Sequence, residues 1–584
     1  MQLHFIDWLI VAVFFAVSLV IGVMTSRRSG STAAEFFLSG RSMPWWLLGV
    51  SMVATTFSAD TPNLVADIVR QNGVSGNWVW WAFLITGMLT VFVYARLWRR
   101  SGVLTDIEFY ELRYSGKEAA FLRGFRALYL GVFFNVVIMA TVCLAAVKIG
   151  NILLGIPPWK TLLIASVITV FYSALGGFRG VVLTDFVQFL FAMGGSVAAA
   201  YFVINLPEVG GLQALVTSPA LEDKLNFVPS LTNRDLFFSV FLIPLAVQWW
   251  SVWYPGAEPG GGGYIAQRML SAKNEKHALA ATLLFNIAHY ALRPWPWILV
   301  ALASLLVFPE LTDLQIAFPN VDPSVVGHDL AYPAMLSYLP AGLLGLVVAS
   351  LIAAFMSTIS THLNWGSSYV VNDFYLRFVN QQATDRQQVR VGRMTTVLLM
   401  LAAAMLSYAI GSAKEGFQAL LQIGAGTGLI FILRWFWMRI NAYAEIAGMV
   451  VSFLFAVAML FIDHQLDDWV VLCIGVAVTT AGWLLVMYLT PPTDDAQLKL
   501  FYERIRPNGR MWRSKFGVLP KNEDDRVTLP MQVLSVFIGT VLVYAALFAT
   551  GQLLYGNGKA ALMLLGLAAV CSFLLIRIWR QRSL

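Results

Sequence analysis

Four hydroxyl side chains, Ser357, Thr358, Ser360 and Thr361, fall within five consecutive positions of the stretch LIAAFMSTISTHLN, residues 351–364. On a helix, residues three and four apart share a face, so Ala354, Ser357, Thr358 and Thr361 line one side and Ser360 sits at its edge. Taken singly, each hydroxyl is satisfied by the carbonyl four residues earlier, and small residues then serve close helix packing. Taken together, they offer a set of neutral oxygens to a hard cation, for which Na+ is the natural candidate. Asp185, His289 and Arg293 lie in equally apolar surroundings. A charge inside a membrane is expensive and therefore marks an ion or solute path. His289 can exchange hydrogen bonds with a solute or simply pack between helices. Arg293, one turn further on, can pair with an acid or meet an anionic solute.

Such groups need a scaffold, and composition restricts it. Of 584 residues, 58% are apolar and 12% charged, too little polar surface to cover a soluble protein. The chain reads as an all-α polytopic membrane protein in a lipid bilayer, with about fifteen spans by the ~20-residue criterion. They fall at 5–25, 45–69, 77–97, 124–148, 159–177, 181–205, 236–256, 279–308, 336–368, 391–411, 416–437, 443–463, 467–490, 530–550 and 559–577. The net charge of +7 does not indicate a nucleic-acid partner, because the basic residues sit in short loops where they report orientation. Arg27, Arg28 and Arg41 follow the first span, Arg96, Arg99 and Arg100 end the third, and Lys273 and Lys276 follow the seventh, whereas 308–335 has no Lys or Arg. That pattern predicts an outside N-terminus and a cytoplasmic C-terminus in a cell membrane. The first span lacks a basic leader and a cleavage site, so it is expected to remain in the mature chain. Cys143, Cys473 and Cys571 have no disulfide or metal spacing and read as packing residues. No H-E-x-x-H or G-x-S-x-G setting supports an intramembrane hydrolase, and no cofactor motif is present.

Two spans carry interruptions. SMVATTFSADTPN places small residues, an acid and Pro62 where an unbroken helix would carry Leu or Ile, and WWSVWYPGAEPGGGGY ends an aromatic run on Pro255 and four glycines. Spans two to six and seven to eleven superpose as two sets of five of opposite orientation, each beginning with a broken helix, the arrangement by which secondary transporters build midplane sites. The expected organisation is an extra helix and lead-in at 1–43, repeats at 44–205 and 206–440, peripheral helices at 441–490, a cytoplasmic loop at 491–529 and two last helices at 530–584.

The stretches AEFFLSGRSMPWWLLGVSM, GGFRGVVLTDFVQ, GYIAQRMLSAK, AAFMSTISTHLN with VNDFY, and RWFWMRINAYAEIAGM resemble, in order, those of the sodium:solute symporter family. The resemblance implies a LeuT-like 5+5 inverted-repeat bundle with about five further helices, alternating access, and Na+-driven uptake of a small solute. It also implies a shared sodium site formed by the carbonyls of Ala54, Phe57 and Ala354 and the hydroxyls of Ser357 and Thr358. ATTF is where the second span would unwind. Members with two coupled ions place an acid at the position of Asp185, against hydroxyls at Ser357, Ser360 and Thr361. On position alone Asp185 reads equally as a helix-end acid held by Arg179.

By the same resemblance the solute faces Thr56, Ser58 and Thr61; Asn135; Trp249, Trp250, Trp253 and Tyr254; His289; and Gln418 or Gln422. His289 stands where sugar-transporting relatives carry a lysine. Asp60 is expected in an aqueous vestibule near Arg70. The reading is Na+-coupled symport of a small polar solute, a sugar or derivative before an amino acid or carboxylate, with two Na+ per solute. The rival is a transporter-like sensor that binds without accumulating solute.

Overall fold

The computed structural model describes residues 3–29, 32–252, 258–319, 326–408, 426–462, 465–518 and 527–580. It is helical, with a single isolated bridge among the described residues, between Met43 and Ala272. Eleven helices there are long and apolar enough to cross a membrane. The chain is a multi-pass membrane protein, since helices satisfy their own backbone groups where no water can.

We label the principal helices in chain order: α1 Phe5–Ser29, α2 Trp45–Thr56, α3 Thr61–Asn72, α4 Val74–Ser101, α5 Gly116–Val147, α6 Pro158–Ile204, α7 Gly263–Ser271 and α8 Glu275–Val307. After these come α9 Leu343–Val379, α10 Asp385–Leu406, α11 Ala442–Phe461, α12 Asp468–Leu489, α13 Asp495–Ile505, α14 Arg510–Phe516, α15 Leu529–Leu554 and α16 Gly558–Arg580.

Four of the fifteen expected spans are not single long helices. Span 45–69 is divided into α2 and α3 by residues 57–60. Spans 159–177 and 181–205 run together as α6, bent at Gly177, whose φ of 55° and ψ of −161° only glycine adopts readily. Span 236–256 breaks after Ala246 into a short turn at Gln248–Trp250 and resumes as α7. Of span 416–437, residues 416–425 lie outside the described residues, and the described part holds the short helix Gly428–Leu433.

The segment expected as a loop, 491–529, contains α13 and α14. They dock: Gln497 donates to the carbonyls of Glu111 and Leu112 at 2.9 and 2.7 Å, and the Trp512 indole to that of Trp435 at 3.1 Å.

At the centre, α2 packs on α6 and α9, and α6 runs along α9. Outside this core α1 lies against α6 and α9, and α15 pairs with α16. Asp7 joins α1 to the core by accepting the backbone N–H groups of Gly342 and Gly345, at 2.6 and 2.8 Å, at the start of α9. An acid there satisfies orphan donors and suits the positive end of the helix dipole. On the opposite side, the lead-in to α2 pairs with the end of α7, Met43 N–H to Ser271 carbonyl at 3.2 Å and Lys273 N–H to Met43 carbonyl at 3.1 Å. The two broken helices are therefore tied together at one end.

Candidate functional site

The break after α2 exposes backbone. Phe57 closes the helix by donating its N–H to the carbonyls of Val53 and Ala54, at 3.0 and 3.1 Å, and the chain turns before Thr61. Unbroken α9 passes beside this end. From it Thr358 donates its hydroxyl to the Thr55 carbonyl at 2.8 Å, and the hydroxyls of Thr361 and Thr55 lie 3.0 Å apart. Ala54, Phe57, Ala354, Ser357 and Thr358 are all at most 2% exposed. A hydroxyl that donates its proton keeps two lone pairs, so Ser357 and Thr358 remain oxygen donors for a cation. Fit to Na+ rests on that donor chemistry: oxygens only, drawn from two helices.

Asp185 is fully buried on α6, eight residues beyond the Gly177 bend. Its Oδ1 accepts from Ser357 at 2.7 Å; its Oδ2 accepts from the Ser51 hydroxyl and from Arg268 Nη2 at 3.2 Å. The partner is thus Arg268 of α7, not Arg179, and the acid is not a solvated helix end. Arg268 also donates to Thr55 and Thr361 hydroxyls at 2.9 and 2.7 Å and, through Nε, to Ser51 at 2.9 Å. Sequence reasoning missed Arg268 because GYIAQRMLSAK read as a connection. The available signal was that a buried carboxylate needs a cation. Of the hydroxyls assigned to a second ion, Ser357 faces Asp185, Thr361 faces Arg268, and Ser360 donates to the Ser357 carbonyl of its own helix at 3.1 Å.

A cavity of about 140 Å³ opens beside this cluster. That is the scale of the ~150 Å³ engineered cavity that takes up benzene, room for one small solute. Thr55 and Thr358 are among its lining residues, as are Thr56, Ser58 and Thr61, which were expected there. So are Asp60, Trp80, Tyr264 and Arg293. Asp60 therefore belongs to the cavity, and Arg70 is elsewhere, donating to Ser304 and Phe308 carbonyls at 3.0 and 2.7 Å. Residues 57–60 turn the acid inward, which the sequence pattern alone does not reveal.

The other expected solute contacts stand away from the cavity or outside the described residues. Asn135 locks α5 to α9, donating to the His362 carbonyl at 2.8 Å with its Oδ1 2.5 Å from the His362 ring, and does not line the cavity. Trp250 packs sideways with Ile243 and Val247 against Leu472 and Val476 of α12. Trp253, Tyr254, Gln418 and Gln422 lie outside the described residues. His289 stands behind the wall, its Nδ1 3.1 Å from Thr56 Oγ1 and its Nε2 3.4 Å from Arg293 Nη2. It orients two lining groups. His289→Ala should raise the solute concentration for half-maximal uptake about fivefold, one hydrogen bond of ~1 kcal/mol, and leave sodium dependence nearly unchanged. Unaltered uptake would leave His289 a packing residue.

Comparison with known proteins bears on what moves through this cavity. The profile of the sodium:solute symporter family matches residues 36–452, well over half of the chain. This chain belongs to the sodium:solute symporter family. Among symporters it is 26% identical over 473 residues to a sodium/glucose cotransporter of Vibrio parahaemolyticus, covering 79% of this chain and 86% of the relative. It is 25% identical to a sodium/mannose cotransporter of Bos taurus, covering 77% and 78% of the two chains. A solved Na+-coupled sialic acid symporter, in a substrate-bound outward-open state, superposes with a TM-score of 0.68 at 22% identity, over 84% of this chain and 99% of that one. The symporter fold is therefore the LeuT-like bundle, and the family is one of transporters, not enzymes. Na+ is its coupling ion.

Proposed function

We propose that this symporter carries a sugar or sugar derivative inward with Na+, that its N-terminus is outside and its C-terminus cytoplasmic, and that two Na+ move per solute. The observation that carries the reading is that Thr55 and Thr358 serve both the hydroxyl cluster and the cavity wall. An ion held by α2 and α9 together would complete the wall beside which solute rests, so each favours the other's bound conformation. The similarity to sodium/glucose and sodium/mannose cotransporters supports the solute class. One charge moving inward releases about 2.3 kcal/mol per 100 mV, enough for roughly fiftyfold accumulation before any concentration gradient is counted.

The first ion takes Ala54, Phe57, Ala354, Ser357 and Thr358. The second takes the Oδ1 side of Asp185 with Ser357, Ser360 and Thr361, while Arg268 keeps Oδ2. Because Arg268 already balances the carboxylate, this second ion binds the more weakly of the two. In proteoliposomes, D-glucose or D-mannose should accumulate with Na+ outside and not with K+, and reversal potentials should give a ratio of two. Binding without accumulation would make the chain a sensor; a ratio of one would remove the second ion.

A further inference from the structure

Arg293 is a buried charge that no acid contacts directly among the described residues; the acid that acts on it, Asp60, lines the same cavity. Arg293 is 2% exposed, and an arginine keeps its proton in any protein setting. Its Nη1 donates to Thr56 Oγ1 at 3.1 Å, its Nη2 meets His289 at 3.4 Å, and its guanidinium carbon lies 5.2 Å from the centre of the Trp297 ring. Its Nε has no hydrogen-bond partner, and no carboxylate forms an ion pair with it among the described residues. Arg70 and Arg113, also buried with no ion pair among the described residues, are held by backbone carbonyls, and three further buried arginines have acids. Arg268 is paired with Asp185, Arg126 with Glu258 and Arg434 with Glu445.

A buried cation with no acid in direct contact is costly, and Arg293, in the cavity wall, is stabilised further by an anion that reaches its guanidinium. Across the same cavity Asp60 Oδ1 also lacks a partner, an acceptor placed for a hydroxyl donor, and Ser58 Oγ is likewise unpartnered. We propose that the solute is a carboxylated sugar, its carboxylate on Arg293 and its hydroxyls on Asp60, Ser58 and Thr61. Guanidinium and carboxylate match as parallel donor and acceptor forks, which a neutral hexose cannot use. Trp80, another lining residue, offers an apolar ring to the sugar's C–H face. This assignment rests on the symport reading above and narrows its solute.

The test uses the purified full chain with D-glucuronate, D-glucose and L-lactate, each in Na+ and in K+, read as thermal stabilisation and as uptake in proteoliposomes. D-Glucuronate should bind at least about tenfold more tightly than D-glucose in Na+, one charge-assisted pair of ~1.4 kcal/mol or more. Arg293→Gln should abolish that preference while Arg293→Lys keeps part of it, and a melting profile for both variants separates this from misfolding. D-Glucose bound as well as or better than D-glucuronate overturns the proposal and leaves sugar symport standing. Na+-dependent handling of L-lactate alone overturns both the carboxylated sugar and the sugar reading. A glucuronate preference that survives in Arg293→Gln overturns the role of Arg293.

Discussion

Asp185→Asn is expected to be the most damaging single change in the molecule. It removes the counter-charge of Arg268 while Arg268 stays fully buried, and breaking a buried pair from one side costs about 3–5 kcal/mol. Folded protein recovered from membranes should fall steeply, and what survives should transport with one Na+ per solute. The double change Asp185→Asn with Arg268→Gln removes both charges and leaves neutral hydrogen-bonding groups against Ser51, Thr55 and Ser357. It should recover folding without recovering the second ion. Melting temperature and reversal potential thus report separate roles of one carboxylate. A single variant that folds normally and keeps a ratio of two would refute both.

The second large effect concerns the hydroxyl cluster of α9 proposed to hold sodium. Ser357→Ala and Thr358→Ala each delete a hydroxyl oxygen, and each should raise the sodium concentration for half-maximal uptake by about tenfold or more, ~1.4 kcal/mol. Thr358→Ala also frees the Thr55 carbonyl, now without the 2.8 Å bond that joins α9 to α2, adding about 1 kcal/mol of lost stability. Thr358→Ser keeps the oxygen and should keep both properties. Sodium titrations of uptake against melting curves in detergent separate the two. Unchanged sodium dependence in both alanine variants would remove the cluster from the coupling site.

The division between what was legible and what was not follows from the range of the interactions. Long apolar runs, the small and hydroxyl residues of SMVATTFSADTPN and the hydroxyls of α9 are local signals. A membrane admits few backbone solutions, so such signals determine spans, the break between α2 and α3, and which face of α9 is polar. Thr56, Ser58 and Thr61, which the family resemblance implied as solute contacts beside that break, line the cavity. Pairings between distant segments are not local. Arg268 and Asp185 are 83 residues apart, and only the packing of α7 against α2 and α6 decides that the acid meets an arginine and not Arg179. Asn135 had the right helix and side-chain type for a solute contact, yet a rotation of α5 that brings it to His362 spends its amide on helix packing. Asp60 turns into the cavity because the backbone of 57–60 is non-helical, and that turn leaves it opposite Arg293. The sequence by itself therefore determined a membrane transporter with an oxygen-lined break; which charges are paired there, and which line the cavity, only tertiary packing decided, because a buried charge is defined by its neighbours in space.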